Sequence, residues 1–269
     1  MSLVVATWNV NSVRKRLDGV RRLVVGAAPD VICLQETKVT DELFPGAAFE
    51  SLGYPYRLVH GQKGYNGVAI LSRLPILESA TRCWQERADC RHGFAIIDAG
   101  GRIGPVEIHS LYVPAGGDIA DPRLNPKFAH KLGFLEEAES WSRARHPARP
   151  AILCGDLNVA PLECDVWSHQ KLKNVVTHTP SEIVRLDAMQ GAGGWVDAVR
   201  HFMPAPERVF TWWSYRATDW AAAGRGRRLD HIWVSPDLRD SLHDCAVMTE
   251  ARSWDEPSDH VPVTVTLKL

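Results

Sequence analysis

The chain has 269 residues, of which 45% are hydrophobic and 23% are charged, as is typical of a soluble globular protein. Its net charge of −1 excludes a generally polycationic protein, although a local basic face remains compatible with that total. No apolar run is long enough to span a bilayer and the six cysteines form no C-x-x-C pair, so we expect a cytoplasmic protein with reduced thiols and no membrane contact.

Buried strands and an amphipathic helix alternate at the start of the chain. Residues 3–8 predict a strand that ends in Asn9, and Ser12 is the expected N-cap of the helix that follows. That helix has apolar residues at helical spacing, at Val13, Leu17, Val20 and Val24. Residues 31–35 predict a second buried strand, which ends in Glu36. A carboxylate at such a strand end is a natural ligand for a hard divalent cation, or is simply exposed.

The middle of the chain predicts several strands and one long helix. We expect strands at residues 56–59, 68–71, 94–97 and 106–112. Tyr112 is the last residue of the fourth strand. Taken alone, it is interpreted as a tyrosine of the core or of the sheet edge. A helix is predicted at residues 127–145 because five apolar residues share one face, namely Phe128, Leu132, Leu135, Ala138 and Trp141.

An apolar run at residues 151–154 changes abruptly to Gly-Asp-Leu-Asn. This predicts a buried strand that delivers Asp156 and Asn158 at its carboxyl end, the edge where α/β sheets place their chemistry. The two side chains are two residues apart, so on an extended backbone they project to the same side. They suit the positioning of a water molecule or a phosphate; the alternative is an ordinary turn, in which Asp and Asn are favoured.

The remaining residues complete an α/β pattern. Residues 161–194 are mainly helical by pattern, and strands are predicted at residues 209–213, 227–235, 246–249 and 261–268. Each half of the chain opens with a buried strand that ends in Asn, Asp or Glu, followed by a helix and hairpin-like strands. The chain has no clear linker or tandem repeat. The similar pattern of its two halves therefore predicts a single domain over residues 1–269, with two packed sheets and helices outside.

Polar side chains from separate strand ends and loops form one candidate constellation. They are Asn9, Glu36, Tyr112, Asp156, Asn158, Asp230, Asp259 and His260. Carboxylates can hold Mg²⁺, amide and phenol donors can orient phosphate oxygens, and a histidine oriented by an aspartate can act near neutral pH. Adjacent side chains do not normally pair, so the candidate partner of His260 is Asp230 rather than Asp259. The set suits phosphodiester hydrolysis.

Seven segments, in order along nearly the whole chain, resemble the exonuclease III family of abasic-site endonucleases, in the endonuclease/exonuclease/phosphatase superfamily. They are TWNVNS at 7–12, LQETK at 34–38, GVAI at 67–70, GDLN at 155–158, TWWSYR at 211–216, RLDH at 228–231 and SDH at 258–260. The resemblance implies a four-layered α/β sandwich, in which two packed mixed β-sheets are flanked by helices.

The resemblance implies a metal site and a group that handles the attacking water. Glu36 would be the main Mg²⁺ ligand, with Asn9 close by and Asp259 contributing, and Mn²⁺ would be an alternative metal. Asp156 would orient or deprotonate the attacking water, or protonate the leaving 3′ oxygen.

The same resemblance implies groups that hold the phosphate and the DNA. Asn158 and Tyr112 would hold the scissile phosphate, and His260, oriented by Asp230, would stabilise the transition state. Four further residues would bind DNA: Asn11, Lys38, Trp212 and Arg216. Trp212 would lie beside the displaced abasic sugar or the DNA end, and one of Trp212 and Trp213 is expected to be core.

The implied activity is DNA repair by a monomer that acts on duplex DNA. The enzyme would hydrolyse the bond 5′ to an abasic site, leaving a 3′ hydroxyl and a 5′ deoxyribose phosphate, and would remove 3′ nucleotides or 3′ blocking groups. The alternatives are a superfamily phosphatase or phospholipase that acts on a non-DNA phosphoester, and a non-catalytic DNA-binding module on the same fold.

Two features bear on how such an enzyme would grip DNA. The family often has Asn two residues before the tyrosine and Pro-Asn-Gly after it, whereas this chain has Ser110 and then Pro-Ala-Gly-Gly. Basic residues that would form a phosphate-tracking face, or alternatively a solvated surface, are Arg14, Lys15, Arg16, Lys63, Lys171, Lys173, Arg225, Arg227 and Arg228.

Overall fold

The computed structural model describes residues 2–101, 104–145, 149–217 and 219–268. The strands in these ranges are β1 Ser2–Asn9, β2 Val31–Gln35, β3 Tyr56–His60, β4 Val68–Ser72, β5 Ile76–Thr81, β6 His92–Asp98, β7 Pro105–Tyr112, β8 Ala151–Asp156, β9 Val196–Asp197, β10 Trp212–Trp213, β11 Gly226–Arg227, β12 Asp230–Val234, β13 Leu242–Val247 and β14 Val263–Lys268. The α-helices are α1 Leu17–Ala27, α2 Gly46–Ser51, α3 Pro126–Ala144, α4 His169–Leu172, α5 Pro180–Gly193, α6 Ala198–Phe202 and α7 Trp220–Ala223. Among these helices, none combines the length and the apolar character that crossing a membrane requires.

The strands form two six-stranded sheets and a two-stranded ribbon. The first sheet has the order β13-β14-β1-β2-β4-β3, the second has the order β5-β6-β7-β8-β12-β9, and β10 pairs with β11 in the ribbon. Each six-stranded sheet has one parallel pair, β1 with β2 and β7 with β8. Their carboxyl ends place Asn9, Glu36, Tyr112 and Asp156 at one end of the molecule, which is why separate segments of the sequence can build one site.

The two sheets pack face to face over a shared core. Val5 and Cys33 from the first sheet pack in one cluster with Ile108 and Ile152 from the second. Helices cover the outer faces, through Val20, Leu23 and Phe49 on the first sheet and Phe134, Leu135 and Leu186 on the second. The predicted four-layered α/β sandwich is therefore confirmed.

Helix α3 forms close to where its pattern predicts, because its capping signals agree with its apolar spacing. The Asn125 side chain accepts a hydrogen bond from the Lys127 N–H at 3.0 Å, and Pro126 occupies the first turn. Its buried side chains Leu135 and Ala138 pack on the outer face of the second sheet, and its buried side chains Phe128 and Leu132 pack against Val176.

The first helix begins later than its apolar pattern predicts. Helix α1 starts at Leu17 and no side chain caps it, so the expected N-cap at Ser12 is wrong. Ser12 has a φ of 95°, and its N–H donates to the carbonyl oxygen of Glu36 at 2.8 Å. The segment after β1 therefore lies alongside the turn after β2. The hydrogen bond between Ser12 and Glu36 holds the ends of the two strands together.

Candidate active site

Glu36 lies just after β2 and is held by groups from three other positions. Its Oε1 accepts hydrogen bonds from Asn9 Nδ2 and from the Tyr112 hydroxyl, each at 2.9 Å, and its Oε2 pairs with Lys38 Nζ at 2.7 Å. Burial raises the pKa of Glu36, but Lys38 and Asn9 outweigh that effect and the net pKa is lowered. Glu36 is thus a carboxylate at neutral pH, and its side chain is still 19% exposed.

Asp156, at the end of β8, is buried among amide donors. Its Oδ2 accepts from Asn9 Nδ2 at 2.9 Å and from Asn158 Nδ2 at 3.1 Å, and its Oδ1 accepts from the Asn158 backbone N–H at 3.0 Å. Burial raises the pKa of Asp156 to about 7; His260 opposes this rise, and the nearby carboxylates of Asp230 and Glu36 add to it. This carboxyl group can therefore exchange a proton near neutral pH.

His260 lies between two carboxylates. Its Nδ1 is 2.8 Å from Asp230 Oδ2, and its Nε2 is 3.6 Å from Asp156 Oδ2. Burial lowers the pKa of His260, but Asp230 and then Asp156 outweigh it, and the pKa rises to about 10. The ring is consequently an imidazolium at neutral pH, fixed in orientation by Asp230 rather than by its sequence neighbour Asp259.

A second set of contacts adjoins Glu36 through Lys38. The Lys38 ammonium donates to Asn11 Oδ1 at 2.5 Å, and Asn11 Nδ2 donates to Asp259 Oδ1 at 3.3 Å. The indole N–H of Trp212 donates to the other oxygen of Asp259 at 2.9 Å. Asp259 is therefore held at the edge of the site by groups on either side.

One cleft of about 610 Å³ joins these groups. Eight residues predicted for the site line it: Glu36, Tyr112, Asp156, Asn158, Trp212, Arg216, Asp259 and His260. Of the other four, Asn9 and Asp230 are buried behind it, whereas Asn11 and Lys38 are partly exposed. All four hydrogen-bond to residues that line the cleft. Arg216 is exposed at the edge of this cleft.

The side chains around the cleft fit a metal ion. Asp156, Asp230 and His260 each offer one ligand atom, and these atoms lie within 4.8 Å of one another. Glu36 and Asp259 line the same cleft and offer carboxylate oxygens, the ligands that hard cations prefer. The mutual repulsion of carboxylates that contributes to the raised pKa of Asp156 would be relieved by such a cation.

Two cations that the sequence analysis did not single out support the site. The Arg91 guanidinium lies 4.7 Å from the centroid of the Tyr112 ring. Lys131 donates to the Asn158 carbonyl oxygen at 2.7 Å and pairs with Glu182, with neither side chain exposed. Lys131 occupies the apolar face of α3, and a charged residue at that spacing is the signal that could have revealed it; Arg91 has no comparable signal.

The structure overturns the prediction for one basic residue, Arg228, and shows that Trp212 and Trp213 differ in burial. Arg228 is 1% exposed and binds two carboxylates, with Nε 2.6 Å from Asp165 and Nη1 2.8 Å from Asp197. Its inclusion in a phosphate-tracking face is therefore wrong, because buried acidic partners hold it inside. Trp213 is buried, whereas Trp212 is half-buried and faces the cleft, so the prediction that one of the pair is core is confirmed.

Comparison with known proteins agrees with this geometry. A model of the endonuclease/exonuclease/phosphatase family matches residues 6–260. The chain is similar to exodeoxyribonuclease III of Haemophilus influenzae, with 28% identity over 269 residues that cover 97% of this chain and 98% of that protein.

Solved structures give the same result. An AP endonuclease from Archaeoglobus fulgidus has 33% identity and a TM-score of 0.89, covering 99% of this chain and 100% of that one. A 3′ phosphatase from Neisseria, bound to a product DNA hairpin, has 29% identity and a TM-score of 0.87 with the same coverage. The resemblance found in the sequence is confirmed, and the chain belongs to the endonuclease/exonuclease/phosphatase family.

Proposed function

We propose that this protein is a metal-dependent DNA repair nuclease. It would hydrolyse the phosphodiester bond 5′ to abasic sites in duplex DNA and remove 3′ nucleotides or 3′ blocking groups. The observation that carries the proposal is the continuous path of close contacts from Glu36 through Asn9, Asp156 and His260 to Asp230. The exodeoxyribonuclease and AP endonuclease relatives, and the neighbour bound to a DNA hairpin, support DNA as the substrate.

Mg²⁺ is the proposed metal, with Mn²⁺ as the alternative. Glu36 would be its principal ligand, and Asn9 and Asp259 would contribute, because all three offer the oxygen atoms that hard cations prefer. When bound, the ion would neutralise phosphate oxygens and stabilise the charge that develops during hydrolysis.

Asp156 is the proposed group that orients and deprotonates the attacking water. Its pKa of about 7 suits proton transfer near neutral pH. Its oxygens are fixed by Asn9 and by the backbone and side chain of Asn158, so the carboxylate is oriented before substrate arrives.

His260, Tyr112 and Asn158 would hold the scissile phosphate. Asp230 keeps His260 charged and oriented, so the imidazolium can stabilise negative charge in the transition state. Burial, followed by the carboxylates of Glu36 and Asp156, raises the pKa of Tyr112, so its hydroxyl keeps the proton that it donates.

We also propose that Asn11, Lys38, Trp212 and Arg216 contact the DNA. Trp212 would lie beside the displaced abasic sugar or the 3′-terminal nucleotide, since its half-buried ring faces the cleft next to His260. Arg216 is exposed at the same cleft and would bind a backbone phosphate.

Cleavage of three labelled duplexes, with and without Mg²⁺, tests the proposal. One duplex carries an abasic site, one has a blunt 3′ end and one has a 3′ phosphate. We expect Glu36→Ala and Asp156→Asn to abolish cleavage of the abasic duplex while both variants stay folded, and Glu42→Ala, at an exposed carboxylate, to leave cleavage unchanged. Full activity in both site variants would reject the proposal, and turnover of only non-DNA phosphoesters would favour the superfamily phosphatase or phospholipase.

We further propose that the chain acts as a single domain, as a monomer and in the cytoplasm. The core shared by the two sheets supports one folding unit, because neither sheet buries its inner face without the other. The free thiols of the buried Cys33 and Cys154 are compatible with a reducing compartment.

A further inference from the structure

A short series of paired segments leads from the catalytic centre along the wall of the cleft. Trp212 pairs with His260 on one side and with Arg227 on the other, and Arg227 pairs in turn with Val166. Paired strands lie about 4.8 Å apart, so three such steps carry this wall about 14 Å away from His260. Trp167 follows Val166 and lies at the far end of the series.

The Trp167 ring holds two cations without neutralising them. Lys171 Nζ lies 5.1 Å from the ring centroid and Arg225 Cζ lies 5.3 Å from it. Over the described ranges, neither cation has a carboxylate within 4.0 Å, and the same is true of Arg227, which lies over Trp212. A cation over an aromatic ring keeps its charge while its position becomes restricted.

The ring itself is firmly placed. The backbone N–H of Trp167 donates to the Gly226 carbonyl oxygen at 3.1 Å, and the side chain packs against the cluster that contains Leu172 and Leu229. Trp167, Arg225 and Arg227 line the same cleft as Asp156 and His260. A substrate bound at the catalytic groups would therefore continue past the positive charges of Arg225 and Arg227 and reach the Trp167 ring, over which Lys171 lies.

We propose that Trp167, Lys171 and Arg225 form a clamp for the DNA backbone phosphate on the 3′ side of the scissile bond. This inference rests on the proposed function, in which His260 binds the scissile phosphate and Trp212 lies beside the sugar that follows it. The next phosphate along the strand then lies beyond Trp212, on the side of Arg227 and Trp167. Charged donors held in fixed positions are well suited to phosphate oxygens.

The clamp distinguishes the two kinds of cleavage. An internal abasic sugar is followed by a phosphodiester on its 3′ side, whereas a 3′-terminal nucleotide with a free hydroxyl has no phosphate there. The clamp therefore contributes binding energy to cleavage at internal abasic sites and contributes none to removal of the last nucleotide.

The test compares two duplexes of the same sequence, one with an internal abasic site and one whose 3′ end falls at the same nucleotide. The variants are Lys171→Gln/Arg225→Gln, Trp167→Leu, and Arg239→Gln as a control at an exposed position outside the cleft. We expect the double variant to raise KM for the internal site about tenfold with kcat unchanged, and to leave KM for the end unchanged. Trp167→Leu should act in the same direction, because the cations remain but are no longer held.

A chemical substitution in the DNA provides an independent measurement. A neutral methylphosphonate placed 3′ to the abasic sugar should weaken binding to the wild-type protein and leave binding to the double variant unchanged. Equal losses on both duplexes, or no loss on either, would overturn the clamp while the proposed function stands. A wild-type protein that cleaves neither duplex would instead reject the proposed function.

Discussion

Lys131 and Glu182 form an ion pair in which neither side chain is exposed to solvent. The Lys131 ammonium also donates to the Asn158 carbonyl oxygen at 2.7 Å, and Glu182 accepts the backbone N–H groups of Thr177 and Thr179. This pair connects the N-terminal part of α3, the start of α5 and the loop that carries Asn158. Removal of one partner would leave the other charge buried without compensation.

We expect Lys131→Met to lower the free energy of unfolding by about 3 kcal/mol, as is typical when one partner of a buried ion pair is removed. Cleavage should fall as well, because the Asn158 backbone loses the donor that positions it. Urea unfolding measures the stability change, with Lys127→Met as the control at an exposed lysine of the same helix. The ion pair is unimportant if the two variants have the same midpoint.

The cluster of Arg228 with Asp165 and Asp197 predicts sensitivity to acid. Burial raises the pKa of each carboxyl group, but Arg228 outweighs it, so both pKa values lie below their ordinary range. Carboxylates with lowered pKa values stabilise the fold above the unfolded pKa of about 3.9, and this stabilisation is lost as pH falls through their folded values. We therefore expect the free energy of unfolding to decrease below about pH 4.

Arg228→Met tests this assignment. At neutral pH the variant should be less stable than the wild type by about 3 kcal/mol, because two carboxylates lose their main partner. The difference should shrink as pH falls, since the wild type then loses the same interaction. Urea unfolding across acidic and neutral pH measures both effects, with Arg239→Met as the exposed control. A stability difference that is independent of pH would contradict the assignment.

The sequence predicts those strands and site residues that have a recognisable local pattern of apolar and polar residues. The buried runs of β2 and β8 and the polar residues after them are visible as patterns, because a strand covered on both faces is apolar throughout. The edge strand β5, with the sequence ILESAT, has no such pattern, since most of its side chains are exposed. The sequence therefore predicts no strand at these residues.

Interactions between distant segments are what sequence reasoning cannot supply. Asn9 reaches Asp156 across 147 positions of the chain, through the packing of one sheet on the other. Arg228 looks like a surface cation until Asp165 and Asp197 are known to lie beside it. Ser12 looks like a helix cap until its N–H is found to donate to the turn after β2.

Gly155 occupies a position where a larger side chain does not fit. Its φ is 148°, and an added Cβ would lie 1.9 Å from the Leu111 carbonyl oxygen on the neighbouring strand β7. We expect Gly155→Ala to destabilise the fold by about 3 kcal/mol or more, because the parallel pair that carries Tyr112 and Asp156 must separate.

Gly191 provides the matched control for this prediction. It lies in α5, and an added Cβ there would meet no atom within 4 Å. Gly191→Ala should therefore stabilise the protein by about 0.5 kcal/mol, somewhat less than in a helix interior because Gly191 lies in the last turn. Thermal and urea unfolding distinguish the two substitutions, and equal stability of the two variants would mean that β7 can move to accept the new side chain.

The contact between Asp230 and His260 predicts how cleavage depends on pH. Asp230 is the largest of the influences that raise the pKa of His260 to about 10, so Asp230→Asn should lower that pKa while keeping the shape of the side chain. His260 then loses its positive charge at a lower pH, and the alkaline decline of kcat should move toward neutral pH. At neutral pH we expect kcat to fall about 100-fold with KM little changed, because the charge acts on the transition state. Steady-state cleavage of an abasic duplex from about pH 6 to about pH 9 measures this, with Asp255→Asn as the control at an exposed carboxylate. A pH profile that superimposes on that of the wild type would show that Asp230 does not control the charge of His260.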